Sequence, residues 1–505
     1  MNRIFGGSTS SPAANRRSKG ARKGRRMVLE SLERREVFDG AGLLSFNNDL
    51  PSSPLDNAVD SQGNQYVVGY LFSAVDFDPN RVWADGSDIL TPAGRMDGYV
   101  AKYDPTGNFL WVRGMGGDSQ AIRPYDWATD IAVADDGAIY VGGEFVRNAK
   151  FGSITLTSPY NQDFREAFLT KLTSQGQFVW AKQFSAVGDD IAGGLSLDRN
   201  GNVLFGTTNQ FESSIQKFTP SGTSIWTAKI DSPVSWGATV TDIDVDSQNN
   251  VIIAGSFSGQ VDFDPSSKRS FNVTGGTAPS GTVGIGNAIN GYVQKLNSSG
   301  LFMQVSPILA KTNLDVAASV SIPSIGTDSQ GSIFVGVSYK GPIDVNPSGA
   351  IDTRPNVSDT QALLKLTTSG SLLWHKSYFA SSIRELKIAG NTVMVGGNYT
   401  APLTLPGMST SVTPRGVANS FGYPADIYFA EFDSNGGLAW TTFLGGEYSD
   451  TLQSFDIATD GSIQMLGSGN STYLEIDSDP LTPPDLTDLN PDGTRRGFRL
   501  KLRRT

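Results

Sequence analysis

"DGYVAKYDPTGNFLWVRGMGG" (97–117) and "ATDIAVADDGAIYVGGEF" (128–145) decide the fold. Each stretch is two apolar runs separated by a short polar turn that contains Gly. Gly tolerates the positive φ that tight hairpins need, so each reads as a β-hairpin. Alternation in "GYVAKYD" sends successive side chains to opposite faces. Apolar residues nevertheless occupy both faces, as expected of a sheet covered on each side.

The same order of features recurs seven times. Second-strand counterparts of "AIYVGGEF" begin at Asn64, Ala138, Asn202, Asn250, Ser332, Thr392 and Ser462. Third and fourth strands form a second hairpin. Four residues after its turn Gly lies Trp111, Trp180, Trp226, Trp374 or Trp440, with Gln304 in the fourth unit. Two hairpins make a four-stranded antiparallel sheet, and seven such sheets make a propeller. The fold expected is therefore all-β: one seven-bladed β-propeller over 40–505, preceded by a basic arm over 1–39. The seventh unit stops at its third strand, "GFRLKLRRT". "GAGLLSF", ending at Phe46, has the pattern of the missing fourth. The two chain ends are thus expected to share the last blade, which removes an exposed sheet edge.

Composition narrows the chemistry. The 505 residues include no Cys and one His, His375, so disulfides, thiolate sites and multi-His metal sites are excluded. His375 has no evident nucleophile beside it and reads as a packed or solvated side chain. Residues 1–36 carry a net charge of +7, which leaves −17 on the rest. So acidic a body repels nucleic acid and anionic lipid. No apolar run is long enough for a transmembrane helix. A monomer is expected.

The units at 97–117 and 128–145, with "VDFDPN" (75–80), "VDFDPS" (261–266) and "IDVNPS" (343–348), resemble the bacterial SBBP-type β-propeller repeat from about residue 40 onward. That resemblance implies a surface-binding architecture whose ligands are mostly unknown. "VLESLERREVF" (28–38) is similar to an export-associated segment of bacterial surface proteins, which implies an exported protein. The hairpin "TGNFLW" also resembles quinoprotein propellers, but seven units and the recurring Lys depart from that pattern.

Candidate sites follow from residue type. Asp76, Asp78, Asp262 and Asp264 of the "DFDP" motifs supply hard oxygens suited to calcium. Their plainer reading is a strand end turned by Asp-Pro, with Phe77 or Phe263 as anchor. No other cofactor is expected. Lys recurs on the third strand (Lys102, Lys171, Lys217, Lys295, Lys365, Lys501), and these groups are expected to meet turn acids such as Asp60, Asp198 and Asp246. The loop "DSQAIRPYDWA" (118–128) shares one face with the long inserts, so Arg123, Tyr125 and Trp127 are the expected contact patch. The function expected is a non-catalytic extracellular or cell-surface module that binds protein or carbohydrate. The alternative is a carbohydrate-active lyase or hydrolase with acidic residues at a central channel.

Overall fold

The computed structural model describes residues 42–50, 52–78, 85–117, 125–160, 163–275, 288–310, 318–346, 350–352, 360–379, 381–416, 424–471, 473–477, 485–488 and 496–503. These form an all-β, seven-bladed propeller of antiparallel sheets, with no helix among the described residues. Blade 1 runs from the inner strand Ser53–Val59 through Gln65–Leu71 and Asp97–Tyr103 to the outer strand Phe109–Met115. Inner strands of the next six blades are Trp127–Val133, Ile191–Leu197, Ala238–Val245, Ser319–Thr327, Ser381–Ala389 and Asp450–Ile457.

Second and third strands are buried on both faces. Those of blade 1, for instance, contain Tyr66, Val67, Val68, Tyr99, Val100 and Ala101, all with no exposed surface. Apolar burial of this kind needs a neighbour on each side, so the seams between blades carry the fold.

One clamp recurs at the turn end of the seams. The outer-strand Trp lies over the hairpin turn of the next blade. Trp180 Nε1 donates to Pro220 O at 3.2 Å, Trp226 to Ser298 O at 3.0 Å and Trp374 to Ser434 O at 3.0 Å. The turn Gly makes this approach possible: a Cβ on Gly176 would sit 2.9 Å from the Trp111 ring, and its φ is +76°. Gln304 stands opposite Lys295, where other blades place Trp opposite Lys, and it reaches Thr368 O.

The recurring Lys joins the same clamp. Lys217 meets Asp198 at 2.8 Å, Lys295 meets Asp246 at 2.9 Å and Lys365 meets Asp328 at 3.1 Å. Lys102 and Asp60 are 3.8 Å apart. Lys217, Lys295 and Lys365 also donate to the next blade's turn carbonyl. Sequence expectation and structure agree here. In blade 2 the turn has Ala134 in place of Asp, and Lys171 lies over the Tyr140 ring at 5.3 Å while donating to Pro220 O. Blade 6 has Ala389 and Glu431, the latter accepting from Thr392 Oγ1 at 2.6 Å.

Removing one partner of a buried ion pair strands the other charge. Lys217→Met should therefore destabilise by about 3–5 kcal/mol. Lys171→Met loses a charge-assisted hydrogen bond and the contact with the Tyr140 ring but strands no carboxylate, and about 1.5–3 kcal/mol is expected. Urea denaturation of the two variants checks the order.

The last sheet runs Gly42–Leu50, Arg496–Arg503, Ile463–Gly469, Asp450–Ile457, so the N-terminal strand lies against the C-terminal one. Its register differs by one from the sequence reading. Ser45, not Phe46, stands opposite Lys501, and Phe46 faces Leu500. The bulge between Leu43 and Ser45 matches the one the other blades carry between these two strands, so the offset lies in a turn Gly that stands one residue nearer the pairing. A chain beginning at residue 52 should expose the 496–503 edge, melt at lower temperature and self-associate. Scanning calorimetry and light scattering against a chain beginning at residue 40 test this.

Candidate functional site

The seven inner strands enclose a central channel of about 860 Å³. Each carries one irregularity: between Pro54 and Asp56, Ala128 and Asp130, Ala192 and Leu195, Val240 and Asp242, Ser321 and Ser324, Ile383 and Glu385, and Leu452 and Ser454. Bulges re-aim side chains. Here they bring Asp56, Asp130, Gly194, Asp242, Ser324, Glu385 and Ser454 to one level of the wall. Two residues on lie Ala58, Ala132, Ser196, Asp244, Gly326, Lys387 and Asp456.

The first level stitches the ring. Its side chain in one blade accepts the backbone N–H that follows the same position in the next. Ile131 N donates to Asp56 Oδ2 at 3.0 Å, Ile325 N to Asp242 Oδ2 at 2.8 Å and Leu386 N to Ser324 Oγ at 3.2 Å. Phe455 N donates to Glu385 Oε2 at 2.8 Å, and Asn57 N to Ser454 Oγ at 3.4 Å. Gly194 has no side chain to offer, and Ile243 N turns to its own Asp242 at 2.8 Å. Asp130 hydrogen-bonds sideways to Asp56. On the second level, Asp456 accepts from Val59 N and Asp244 from Thr327 Oγ1, each at 2.8 Å.

Six carboxyl groups thus share the wall with one lysine. Burial, then the negative charge of Glu385, pushes Asp56 up to about 6. Burial pushes Asp242 up to about 7 and raises Asp244 and Asp456 as well. Burial and the Asp56 and Asp242 charges lift Asp130 well above the carboxylate range. Burial opposes the Lys387 charge, but Glu385, Asp456 and Asp56 outweigh it and hold the ammonium ion. Lys387 Nζ is 2.6 Å from Glu385.

At the end where the inner strands begin, an aromatic strip crosses the seam between blades 1 and 2. Tyr125 and Trp127 stack with ring centroids 5.7 Å apart and planes 11° apart. Tyr70 lies 6.1 Å from Trp127, and Phe72 packs edge-on to Tyr70 at 5.3 Å. Phe72 is 61% exposed and Tyr125 39%. Trp127 Nε1 donates to Glu144 at 3.0 Å, and Arg165 bridges Glu144 and Asp189 at 3.1 Å each. The structure brings Tyr125 and Trp127 together; Arg123 lies outside the described residues. Tyr70 and Phe72 were missed, because a half-buried strand Tyr and a loop Phe look ordinary in sequence.

The "DFDP" carboxylates lie on the insert hairpins. Asp76 Oδ1 accepts from Asp78 N at 2.9 Å; Asp262 Oδ1 accepts from Asp264 N at 3.0 Å and Phe271 N at 2.7 Å; Asp264 accepts from Ser266 N at 3.0 Å. Phe77 and Phe263 are fully buried, 5.1 Å from Tyr99 and 4.8 Å from Tyr292. Turn capping and anchoring thus engage this motif. Among the described residues, no three acid or imidazole groups converge for a metal ion. His375 sits exposed on an outer strand opposite Leu364. No described helix is long and apolar enough to cross a membrane.

No family model matches the chain, and no curated protein sequence matches it. Solved structures that align with the chain include a protein of unknown function from Bacteroides caccae, at 10% identity over 68% of this chain and 89% of that one, TM-score 0.32. The Neurospora crassa Pan2 WD40 domain aligns at 8% identity over 92% and 95%, TM-score 0.40. Virginiamycin B lyase from Staphylococcus aureus aligns at 10% identity over 70% and 95%, TM-score 0.33.

Carboxyl groups held in this way make stability fall with rising pH. They keep protons in the folded chain that the unfolded chain has already released, so folding weakens as pH climbs from about 4 through the raised values. Burial also pushes Asp126 and Asp426 to about 8 and Asp450 to about 7, which extends the window. Stability should therefore decline between about pH 5 and pH 8. Asp242→Asn should flatten the decline, while losing one of the two backbone N–H bonds that Asp242 accepts should lower stability by about 1–3 kcal/mol at acid pH. Urea midpoints across pH check both.

Proposed function

We propose that this protein is an exported, non-catalytic binding module that holds carbohydrate on the aromatic strip of blades 1 and 2. One observation carries the reading: Tyr125 stacks on Trp127 with planes 11° apart, Tyr70 and Phe72 extend the cluster at 52° and 85°, and Phe72 and Tyr125 keep exposed ring surface. Sugar rings present weakly positive C–H faces, and aromatic rings carry negative faces. A β-1,4-linked hexopyranose chain is a flat ribbon that presents such faces in succession. Arg165, Glu144 and Asp189 beside Trp127 supply charged partners for its hydroxyl groups. Sequence resemblance to SBBP-type repeats and to an export segment supports the surface location.

The channel gives one reason to weigh the enzymatic alternative, since several carboxyl groups line it. Four of them, Asp56, Asp242, Glu385 and Asp456, accept backbone N–H groups of the adjoining blade, which employs them in the wall.

Calorimetric titration of residues 40–505 with cellohexaose and chitohexaose should show binding to at least one. Trp127→Ala should weaken it about 30-fold. Unchanged affinity in that variant would remove the strip from the function, and binding to a protein partner alone would leave the glycan reading without support. Appearance of new reducing ends on prolonged incubation would move the assignment to an enzyme.

A further inference from the structure

Resting on the carbohydrate reading of the strip, we propose that the strip is one of three aromatic pads around one end of the propeller, and that the ligand is a polymeric glycan held at all three.

The exposed aromatic residues are unevenly placed. Among the described residues they are Phe72, Tyr125, Phe211, Trp236, Phe271 and Tyr448. Phe271 lies on the insert hairpin of blade 4, against Phe302. The other five stand at the end where the inner strands begin. Phe72 follows the second strand of blade 1, and Phe211 lies in the turn after the second strand of blade 3, Val203–Thr208. Tyr125, Trp236 and Tyr448 lie in the links that lead into the inner strands of blades 2, 4 and 7. They mark the seams 1–2, 3–4 and 6–7, which are two, three and two blades apart around the ring.

The pads use matching positions of the repeat. Trp236 stands four residues before Val240, where its inner strand bulges, and Tyr448 four before Leu452; Tyr125 stands three before Ala128. At the first two seams a residue from the preceding blade's second-strand end, Phe72 or Phe211, joins the one in the link. An acid paired with a base stands beside each of these two pads. Glu144 meets Arg165 at 3.1 Å beside Trp127, and Glu212 meets Lys229 at 2.7 Å beside Phe211. Arg165 also reaches Asp189, in the link from blade 2 to blade 3 that lies between the two pads.

The outlying pads are held by their backbone, which leaves the side chains to meet a ligand. Trp236 has φ +56°, a strained conformation for a bulky residue, and its N–H donates to Gln210 O at 3.0 Å, next to Phe211. Phe211 N donates to Asn209 Oδ1 at 2.8 Å. Tyr448 N donates to the fully buried Ser471 Oγ at 2.9 Å. Phe211 remains 57% exposed, Trp236 39% and Tyr448 54%. Anchored contact residues lower the ordering cost of binding. Three separated platforms on one end of a disc suit a long or surface-presented glycan. Once one pad is seated, the others meet the polymer at high local concentration, so avidity exceeds the affinity of any single pad.

Depletion isotherms on amorphous cellulose and colloidal chitin, beside calorimetry with cellotriose and chitotriose, test this. The polymer that matches the bound trisaccharide should be held about 100-fold more tightly. Trp236→Asn, in which Asn tolerates the positive φ, and Tyr448→Ala should each weaken polymer binding about tenfold. Both should leave the urea midpoint and the tightest trisaccharide affinity as in the wild type, whereas Trp127→Ala should weaken trisaccharide and polymer together. Polymer binding no tighter than trisaccharide binding, or polymer binding that neither outlying variant weakens, overturns the three-pad arrangement while the strip reading stands. Weaker polymer binding in those two variants but not in Trp127→Ala supports the outlying pads and overturns the strip. Absence of binding to all four probes overturns both.

Discussion

A sheet that is apolar on both faces cannot stand in water, and this constraint organises the molecule. Each blade of the propeller must be covered twice, so the ring depends on how one blade seats on the next. Three contact sets meet that need at different heights. At the turn end, Trp and Lys reach the neighbour's hairpin carbonyls. Between them lies the apolar packing. Along the channel, a side chain from one blade takes up the backbone N–H left free by the next blade's bulge. Hydrogen bonds to buried backbone add modest net stability but are costly to leave unmade. The bulges can persist because the neighbouring blade satisfies them.

The turn-end clamp was legible from sequence because its parts are close together within each unit. Asp60 precedes Tyr66 by six residues, and Lys102 lies three residues after Tyr99, so repetition makes the set visible. The channel was not read, although its positions are regular. Asp56 stands four places before Asp60, Asp130 four before Ala134, Asp242 four before Asp246 and Glu385 four before Ala389. In that column the seven residues are Asp, Asp, Gly, Asp, Ser, Glu and Ser. Lining up the units would have exposed it. What no alignment of units supplies is the upward push on Asp130, since after burial that depends on the Asp56 and Asp242 charges arriving from other blades. The strip escaped for a similar reason. Tyr125 and Trp127 are neighbours in sequence, whereas Tyr70 and Phe72 join them only through the seam.

Electrostatics sets the character of the channel. A buried carboxyl group costs less neutral than charged unless a cation or enough donors accompany it. Asp198 and Asp246 show the opposite case: burial raises them, but Asn side chains, Lys partners and backbone N–H groups outweigh it and hold them below the ordinary value. Turn and channel acids are the same residue type in the same strand, a few residues apart. Their different charge states follow from whether each has its own lysine. The two channel levels have one lysine for six acids, and burial raises five of them, Asp56, Asp130, Asp242, Asp244 and Asp456.

Departures from the repeat are not by themselves signs of a site, and blade 3 shows why. In blades 1, 2, 4, 6 and 7 an aromatic residue three before the clamp position (Tyr99, Phe168, Tyr292, Tyr428, Phe498) stands opposite a Gly of the second strand. The fit is tight: a Cβ on Gly255 would come 2.8 Å from the Tyr292 ring. Four of these rings also hold the Phe or Tyr that seats the insert or strand end, as Tyr99 does for Phe77. Blade 3 has no insert, and there the pair is Ser214 opposite Thr207, hydroxyl to hydroxyl at 2.9 Å. Blade 5 has Ala362 opposite Val337. Loss of the ring is matched each time by loss of the Gly, so both blades close without a vacancy. The channel column varies by another rule. Its Asp, Ser or Glu in blades 1, 4, 5, 6 and 7 takes up the next blade's backbone N–H, and where blade 3 has only Gly194 the next blade's Ile243 N turns to its own Asp242. A change inside a blade is thus compensated by that blade, and a change at the seam by its neighbour.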